Sequence, residues 1–253
     1  MRRVELIGVP GIPLIETGDD LAGVIATSIE QAGLDLLDGD VVVVTSKIVS
    51  KSEGRWADLD TITPDAEALR VAEQCHKDPR EVALILSESV RISRMRPGVL
   101  ITEHRLGFVC ANAGVDHSNT RPGTNWRLLL PENPDRSARL LRERLEQHFN
   151  ARLAIVISDS HGRPFRLGTV GVAIGAAGLP ALRDLRGTPD LFGVELRVTE
   201  VGFADELAAS AGLVMGQADD GIPVVIIRGL VFPPDDHAKA SDLVRPHDLD
   251  LYR

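Results

Sequence analysis

The sequence predicts a globular fold that mixes α-helices and β-strands. Continuous apolar runs, such as the four valines Val41–Val44, are typical of buried central strands. Amphipathic stretches predict helices, and the clearest of them places Ala138, Leu141, Leu145 and Phe149 on one side. At 253 residues the chain has room for one large domain or two smaller lobes.

The composition narrows the classes of function. With 43% hydrophobic and 26% charged residues, the chain is typical of a soluble protein, and its net charge of -9 argues against nucleic acid as a partner. No apolar run approaches the ~20 residues of a membrane span, and the N-terminus lacks a signal-peptide pattern. Two cysteines, Cys75 and Cys110, are too few for a disulfide framework or a cysteine-based zinc site. We therefore expect a cytoplasmic protein with no membrane partner.

The elements of the first half follow from capping residues and apolar patterns. Asp19 and Asp20 are suited to cap a helix that runs to Gly33. Proline and glycine predict a stiff loop over residues 10–14, which either presents backbone amides to a ligand or simply connects two elements. The other predictions are strands over 4–9, 41–44 and 89–96, helices over 63–77 and 80–88, and a hairpin of strands 99–102 and 107–110.

The second half begins with an exposed loop, predicted over residues 120–133. The glycine- and alanine-rich stretch 169–185 suggests close backbone packing against a helix or a second subunit. The other predictions are a helix from Pro134, a strand over 155–157 that ends at Ser158, a strand over 195–201, a helix over 204–215, a strand over 223–227 and a covering tail over 233–253.

Polar residues follow four of these predicted elements, in segments 45–54, 111–119, 158–166 and 216–221. Ligands tend to bind beyond strand ends, so these segments are candidate binding sites. Each also has an ordinary interpretation as a turn, a helix cap or a solvated surface.

The residue types in these segments suggest two kinds of chemistry. Carboxylate and hydroxyl oxygens, as in Asp116, Asp159 and Ser160, are the ligands that Mg²⁺ or Mn²⁺ prefers. His117 beside Asp116 would point the opposite way on a strand, so we do not expect it to bind the same ion.

Cationic and hydroxyl groups indicate an anionic ligand. Ser46, Lys47 and Lys51 suit phosphate, and Arg163 with Arg166 suits phosphate or carboxylate. The sequence contains no G-x-x-x-x-G-K-[ST] phosphate loop, no G-x-S-x-G elbow and no H-E-x-x-H. A nucleotide would have to be held without these motifs.

Taken together, the polar segments resemble the coenzyme F-420 γ-glutamyl ligases, also called coenzyme F-420-0:L-glutamate ligases. Their order and combination are specific, and the resemblance covers nearly the whole chain. It rests on residues 11–14 (GIPL) with 18–20 (GDD), 40–54 (DVVVVTSKIVSKSEG), 111–119 (ANAGVDHSN), 157–168 (ISDSHGRPFRLG) and 214–223 (VMGQADDGIP).

The resemblance implies an activity and a fold. The activity is GTP-dependent addition of L-glutamate to the lactyl-phosphate end of coenzyme F-420-0, then of further γ-linked glutamates, with Mg²⁺ or Mn²⁺ and K⁺. The fold is α+β, with mixed β-sheets and flanking helices in two lobes, roughly 1–90 with 200–253 and 91–199, and it forms an intertwined homodimer. A reductase-like domain is sometimes fused in this family, so the chain is expected to be the stand-alone form or a fragment of the fused one.

The resemblance also implies roles for individual residues. The implied metal ligands are Asp116, Asp159, Ser160 and Gln217. The implied GTP-binding residues are Gly11, Ile12, Pro13, Leu14, Ser46, Lys47, Lys51, Asn119, Gly216 and Gln217. The implied catalytic residues are Lys51, Asp116, Asp159 and Arg163, with Lys51 balancing the triphosphate and Arg163 or Arg166 orienting a substrate. Ser160 stands where related sequences often have threonine, which keeps the hydroxyl.

The expected reaction passes through an acyl phosphate, because an amine does not displace water from a free carboxylate at a useful rate. Two other functions remain open at this stage. One is a GTP- and metal-dependent ligase or kinase that acts on another acidic metabolite. The other is a non-catalytic protein that binds a nucleotide or a metal.

Overall fold

The computed structural model describes residues 3–118 and 125–251 of the chain. The strands are β1 (Glu5–Gly8), β2 (Val41–Thr45), β3 (Trp56–Asp58), β4 (Ser89–Arg96), β5 (Val99–His104), β6 (Val109–Ala111), β7 (Trp126–Leu128), β8 (Ala154–Arg163), β9 (Arg166–Ala177), β10 (Arg183–Asp184), β11 (Glu200–Val201) and β12 (Val224–Arg228). The α-helices are α1 (Leu21–Gln31), α2 (Ser46–Ser52), α3 (Ala66–Cys75), α4 (Pro79–Ser87), α5 (Pro134–Phe149) and α6 (Phe203–Met215).

A five-stranded mixed sheet forms the centre of the fold, in the order β1-β12-β2-β8-β9. β2 and β8 are parallel neighbours, and the other pairs are antiparallel. This register places Thr45 beside Ser158, so the polar segments that follow the two predicted strands lie side by side. The predicted α+β fold with mixed sheets is confirmed.

Helices cover both faces of the central sheet. α1 and α5 pack on one face, where Ile25 and Leu145 are fully buried, and α6 packs on the other. A Cβ on Gly171 would overlap the carbonyl oxygen of Ala208 in α6, and one on Gly175 would lie 2.5 Å from the carbonyl oxygen of Pro134 in α5. Glycine is therefore required there, and the predicted close packing of this stretch against helices is confirmed.

A smaller unit adjoins the central sheet. The antiparallel sheet β4-β5-β6 packs against α3 and α4 around Val71, Cys75, Ile85 and Leu100, all fully buried. The division of the chain into two lobes remains a prediction. β2 and β8, which the predicted boundary assigns to different lobes, are adjacent strands of one sheet.

Near the candidate site one helix was not predicted and one predicted strand end was wrong. Residues 46–52 form helix α2, for which the sequence indicated no element. The strand predicted to end at Ser158 continues to Arg163, because its backbone pairs with β9 over the whole polar stretch. Tertiary pairing thus overrides the turn propensity of Ser158, Asp159 and Gly162.

Two other predicted elements differ in extent. The predicted exposed loop over 120–133 contains β7, and residues 128–131 are buried, whereas residues 120–124 lie outside the described part of the chain. In the predicted strand over 195–201, Glu200–Val201 pairs with β10, and Glu195 forms only an isolated bridge with Pro189.

The tail packs against the body of the protein, as predicted for a covering segment. Ala238 and Ala240 are buried, and the backbone amide of Ala240 donates to Asp135 at 2.9 Å. Among the residues that the structure describes, no helix has the length and apolar character needed to cross a membrane.

Candidate functional site

The start of α2 brings two of the predicted polar segments together. The Ser46 hydroxyl donates to Oδ1 of Asp159 at 2.8 Å, and Nζ of Lys47 lies 2.7 Å from Oδ2 of Asp116. Because Ser46 and Lys47 are consecutive, the two aspartates, which are 43 positions apart in sequence, reach the same end of one helix. The structure thus places both predicted metal-binding carboxylates in one region.

Asp116 is held as an anion by its neighbours. Both the backbone amide and the hydroxyl of Ser118 donate to its Oδ1, at 2.7 and 2.8 Å, and Lys47 pairs with its Oδ2. Burial raises the pKa of Asp116, but the hydrogen bonds from Lys47 and Ser118 and the charge of Lys47 outweigh burial, and the net pKa lies below its ordinary value. Asp116 is therefore ionised at neutral pH.

Asp159 is also held as an anion. Nε2 of His161 lies 3.0 Å from its Oδ2, opposite the Ser46 hydroxyl. Burial raises the pKa of Asp159, but the imidazole of His161 and the hydroxyl of Ser46 lower the pKa further, to a net value below the ordinary one. Burial and the Asp159 charge raise the pKa of the neighbouring Cys110 thiol to about 12, so that thiol stays protonated.

The other two predicted metal ligands form a separate pair. The Ser160 hydroxyl donates to Oε1 of Gln217 at 2.9 Å. Asp159 and Ser160 are consecutive on β8, so their side chains leave opposite faces of the strand. The four predicted ligands therefore fall into two pairs, one at the start of α2 and one beside the loop after α6.

The donor atoms suit the predicted cations. Carboxylate, hydroxyl and amide oxygens are hard ligands, as Mg²⁺, Mn²⁺ and K⁺ require. Within residues 3–118 and 125–251, no three histidine, cysteine, aspartate or glutamate side chains cluster to hold a metal by themselves. A divalent ion here would thus depend on oxygens of a bound substrate, as is usual for Mg²⁺ in phosphate chemistry.

A cavity of about 360 Å³ lies beside these pairs, between the loop after β1 and the loop after α6. Its lining includes seven of the predicted nucleotide-binding residues: Ile12, Pro13, Leu14, Lys47, Lys51, Gly216 and Gln217. Gly11 adjoins this lining without belonging to it. Ser46 is buried with its hydroxyl on Asp159, so its side chain does not face the cavity, and Asn119 lies outside the described residues.

Lys51 gives the cavity an uncompensated positive charge. In the described part of the chain no carboxylate lies within 4.0 Å of its ammonium group. Burial and the charge of Lys47 lower the pKa of Lys51, although Glu16 and Asp116 act in the opposite direction. An anion bound in the cavity would stabilise the charged form of Lys51.

Gly216 fixes the shape of the loop that carries Gln217. Its φ of +69° lies in the left-handed region, and an added Cβ would overlap the carboxylate of Asp220. That carboxylate accepts a bond from the backbone amide of Ala218 at 3.3 Å, so the loop turns back on itself. This compact turn directs Gln217 toward Ser160.

Arg163, a predicted catalytic residue, does not join the other site residues in this chain. It lies at the exposed end of the β8–β9 hairpin, where Nη2 donates to the carbonyl oxygen of Leu167 at 3.0 Å. The strand was predicted to end at Ser158, whereas β8 continues to Arg163 and carries it outward. Its catalytic role stays a prediction.

Sequence reasoning missed His161 as a site residue. The signal was its position two residues after Asp159, which puts both side chains on the same face of a strand. Using that signal required knowing that β8 continues past Ser158.

The chain is an α+β protein with two lysines lining a cavity beside ionised carboxylates. The sequence profile of the family described as F420-0:Gamma-glutamyl ligase matches residues 11–229. The chain belongs to this family.

Three similar proteins match over nearly the whole chain. The chain is 48% identical over 254 residues to the protein named Coenzyme F420:L-glutamate ligase of Methanothermobacter thermautotrophicus, covering 99% of each chain. It is 45% identical over 252 residues to the protein of the same name from Methanocaldococcus jannaschii, covering 100% of this chain and 98% of that one. For the Methanopyrus kandleri protein of that name, the identity is 48% over 242 residues.

Proposed function

We propose that this protein is a GTP-dependent ligase that adds L-glutamate to coenzyme F-420-0. The observation that carries the proposal is the pair of ionised aspartates, Asp116 and Asp159, held at the start of α2 beside a cavity with two lysines. The names of relatives at 45–48% identity support the same reaction for a chain of this family.

The triphosphate of GTP is assigned to the cavity. Lys47 and Lys51 line it, and the uncompensated charge of Lys51 favours a polyanion over a neutral ligand. The loop of Ile12 to Leu14 and the Gly216 turn form the opposite walls, which suits them to position the nucleotide through backbone groups. Any contact from Ser46 would have to come from its backbone, because its hydroxyl is used by Asp159.

Two cation positions follow from the two ligand pairs. Asp116 and Asp159 would hold one divalent ion, and Ser160 with Gln217 would contribute to a second position. When bound, Mg²⁺ or Mn²⁺ neutralises phosphate charge and polarises the transferred phosphoryl group, with K⁺ in support. The negative charge of the whole chain makes such neutralisation necessary for a triphosphate ligand.

The proposed chemistry has two steps. The terminal carboxylate of the acceptor attacks the γ-phosphorus of GTP, forming an acyl phosphate and releasing GDP. The α-amine of L-glutamate then attacks the acyl carbon, and phosphate leaves as the amide bond forms. The chain contributes mainly by positioning the reactants and by compensating charge, as is usual in phosphoryl transfer.

We also propose that the protein is a homodimer. Two projecting segments expose large apolar side chains: Leu191, Phe192 and Val198 lie between β10 and β11, and Phe165 and Leu167 lie at the β8–β9 turn. All five are at least 85% exposed, which suggests a surface covered by a second copy. Sedimentation equilibrium of the purified protein should give twice the chain mass.

The test of the proposed function is a product assay. The protein is incubated with GTP, L-glutamate, Mg²⁺ or Mn²⁺, K⁺ and coenzyme F-420-0, and the products are analysed by mass spectrometry. The expected result is a mass gain of one glutamate per step, with one GDP released for each. GDP release only with a different acidic acceptor would instead indicate a ligase or kinase for that metabolite. Binding of GTP and metal without turnover would indicate a non-catalytic binding protein.

A further inference from the structure

The carboxylate of Asp159 is contacted from two sides by groups on different elements. The Ser46 hydroxyl of α2 donates to Oδ1 at 2.8 Å, and Nε2 of His161 on β8 lies 3.0 Å from Oδ2. The backbone amide of Ser160 also donates to this carboxylate, so the group has little freedom to rotate. A carboxylate offers about four acceptor sites, and these three contacts leave about one of them for a ligand.

His161 packs against an aromatic side chain. It is only 8% exposed, and its ring lies against Phe108, with the ring centroids 4.9 Å apart and the planes at 51°. Phe108 also stacks with the ring of His104, at a centroid distance of 5.2 Å. His161 borders a cavity of about 940 Å³ on another side, and the contact with Phe108 favours the ring position that directs Nε2 at Asp159.

The side chain of His161 is directed at Asp159. Nε2 of His161 is buried, and Oδ2 of Asp159, at 3.0 Å, is the one carboxylate oxygen of the described residues within 4.0 Å of it. A histidine that served only to fill the core would not need to place its nitrogen against a carboxylate.

We propose that His161 is a positioning residue that orients the carboxylate of Asp159 for a divalent cation bound together with the nucleotide. The inference rests on the proposed function, since that function supplies the cation and the nucleotide. Groups that orient a ligating carboxylate typically change metal affinity by about 10- to 100-fold when they are removed.

The experiment is a titration of the full-length protein with Mn²⁺ in the presence of saturating GDP, followed by electron paramagnetic resonance of free Mn²⁺. His161→Phe keeps a ring against Phe108 but removes the nitrogen, and it should weaken Mn²⁺ binding about 10- to 100-fold. His161→Gln keeps an N–H group at similar reach and should restore most of the affinity. In the ligation assay, the Mn²⁺ concentration for half-maximal rate should rise in parallel for His161→Phe, with kcat at saturating Mn²⁺ nearly unchanged.

The matched control is His148→Phe. His148 also faces a carboxylate, with Nε2 2.8 Å from Oε1 of Glu30, but this pair is exposed on the surface. Mn²⁺ affinity should be unchanged in this variant. If His161→Phe lacks a cooperative unfolding transition, Ser46→Ala replaces it, because it removes the opposite contact and should weaken Mn²⁺ binding in the same range.

The outcomes separate this inference from the proposed function. Mn²⁺ affinity of His161→Phe within twofold of the wild type would overturn the positioning role, whether or not the wild type ligates glutamate. A wild type whose Mn²⁺ affinity depends on His161 but which forms no glutamylated product would support the positioning role and contradict the ligase. A wild type that binds no Mn²⁺ with GDP would overturn the inference directly.

Discussion

Two clusters of charged residues lie partly buried in this protein, and they are built differently. In the first, which we name the Glu88 cluster, Oε2 of Glu88 accepts from Arg55 and from Arg105, each at 3.0 Å, and His104 lies 3.6 Å away. Both guanidiniums also donate to backbone carbonyls of residues 130–132. Every charge in this cluster has a partner in the protein, and the contacts join the end of α4, the residue before β3, the β5–β6 turn and the segment before α5.

The second, which we name the cavity cluster, comprises Lys47, Lys51, Asp116 and Asp159. Its aspartates are held by short contacts, but Lys51 has no ion-pair partner among the described residues. Lys51 also lines the cavity of about 360 Å³ beside the aspartates, whereas Arg105 of the Glu88 cluster borders a different cavity. A cluster that is internally complete stabilises a fold, and a cluster with uncompensated charge at a cavity is suited to a ligand.

The pKa of Glu88 and the pKa of Lys51 show the same difference between the two clusters. Burial raises the pKa of Glu88, but the hydrogen bonds from His104 and Arg105 and the charge of Arg55 lower it to about 2. The Glu88 cluster thus favours the charged form of its carboxylate. In the cavity cluster, burial and Lys47 lower the pKa of Lys51, which disfavours the charged form.

The largest effect is expected from the aspartates of the cavity cluster. Asp159→Asn and Asp116→Asn should each reduce ligation by at least about 1000-fold, or roughly 4 kcal/mol, because each removes a charge proposed to hold a divalent ion. The fold should survive, as judged by circular dichroism and a cooperative thermal transition. Glutamylation by either variant at near wild-type rate, still dependent on GTP and metal, would contradict the assignment.

The next largest effect is expected on stability, from the Glu88 cluster. Glu88→Gln should lower the free energy of unfolding by about 3 kcal/mol in urea denaturation, since it leaves two half-buried guanidiniums without their carboxylate. The folded variant should keep its KM for GTP. A loss below about 0.5 kcal/mol would show that the cluster does not stabilise the fold.

The stability lost in Glu88→Gln should depend on pH, and the pKa of Glu88 gives the direction. The folded pKa of Glu88 is about 2, below the ordinary value of 4.5, so the stabilisation is present above pH 4.5 and is lost as pH falls toward 2. The difference between these two values corresponds to roughly 3 kcal/mol. The gap in stability between wild type and Glu88→Gln should therefore close over that window.

The smallest effect is expected from substitution of Lys51. Lys51→Met should raise the KM for GTP about 10- to 100-fold, because it removes a charged contact to phosphate worth ~1.5–3 kcal/mol. Stability should be unchanged or slightly greater, since the lowered pKa shows that the folded state disfavours the Lys51 charge.

Lys77→Met is the matched control for the Lys51 substitution. Lys77 is also a largely buried lysine, but it pairs with Glu81 at 3.3 Å, far in sequence from the cavity residues. This variant should lose stability and keep the KM for GTP. An unchanged KM in Lys51→Met, with wild-type ligation, would remove Lys51 from the nucleotide site.

The central strands and most helices were predictable from local patterns. The valines of β2 are fully buried, and Asp20, Asp65 and Asp78 cap their helices as such residues should. α2 was missed because it has only seven residues and no side-chain cap at Thr45. Its helical form depends on packing against β2 and β8, which the local sequence does not encode.

The family resemblance named several of the residues that line the cavity, but it did not name His161, and it did not give their geometry. The pairing of Ser46 with Asp159 joins residues 113 positions apart and depends on the parallel register of β2 and β8. The contact of His161 depends on the extension of β8, which its pairing with β9 determines. The Glu88 cluster joins side chains from three separate segments, so no single stretch of sequence reveals it.

Strand β8 carries Asp159 on one face and Ser160 on the other, and pairing with β9 holds this part of the strand in place. Two cations bound through these neighbours would be separated by a fixed length of backbone, since neither ligand can move without displacing the other. The spacing between the two positive centres would thus be set by covalent geometry. A polyphosphate whose oxygens match that spacing would bind without rearrangement of the protein, whereas a shorter or longer anion would engage only one centre.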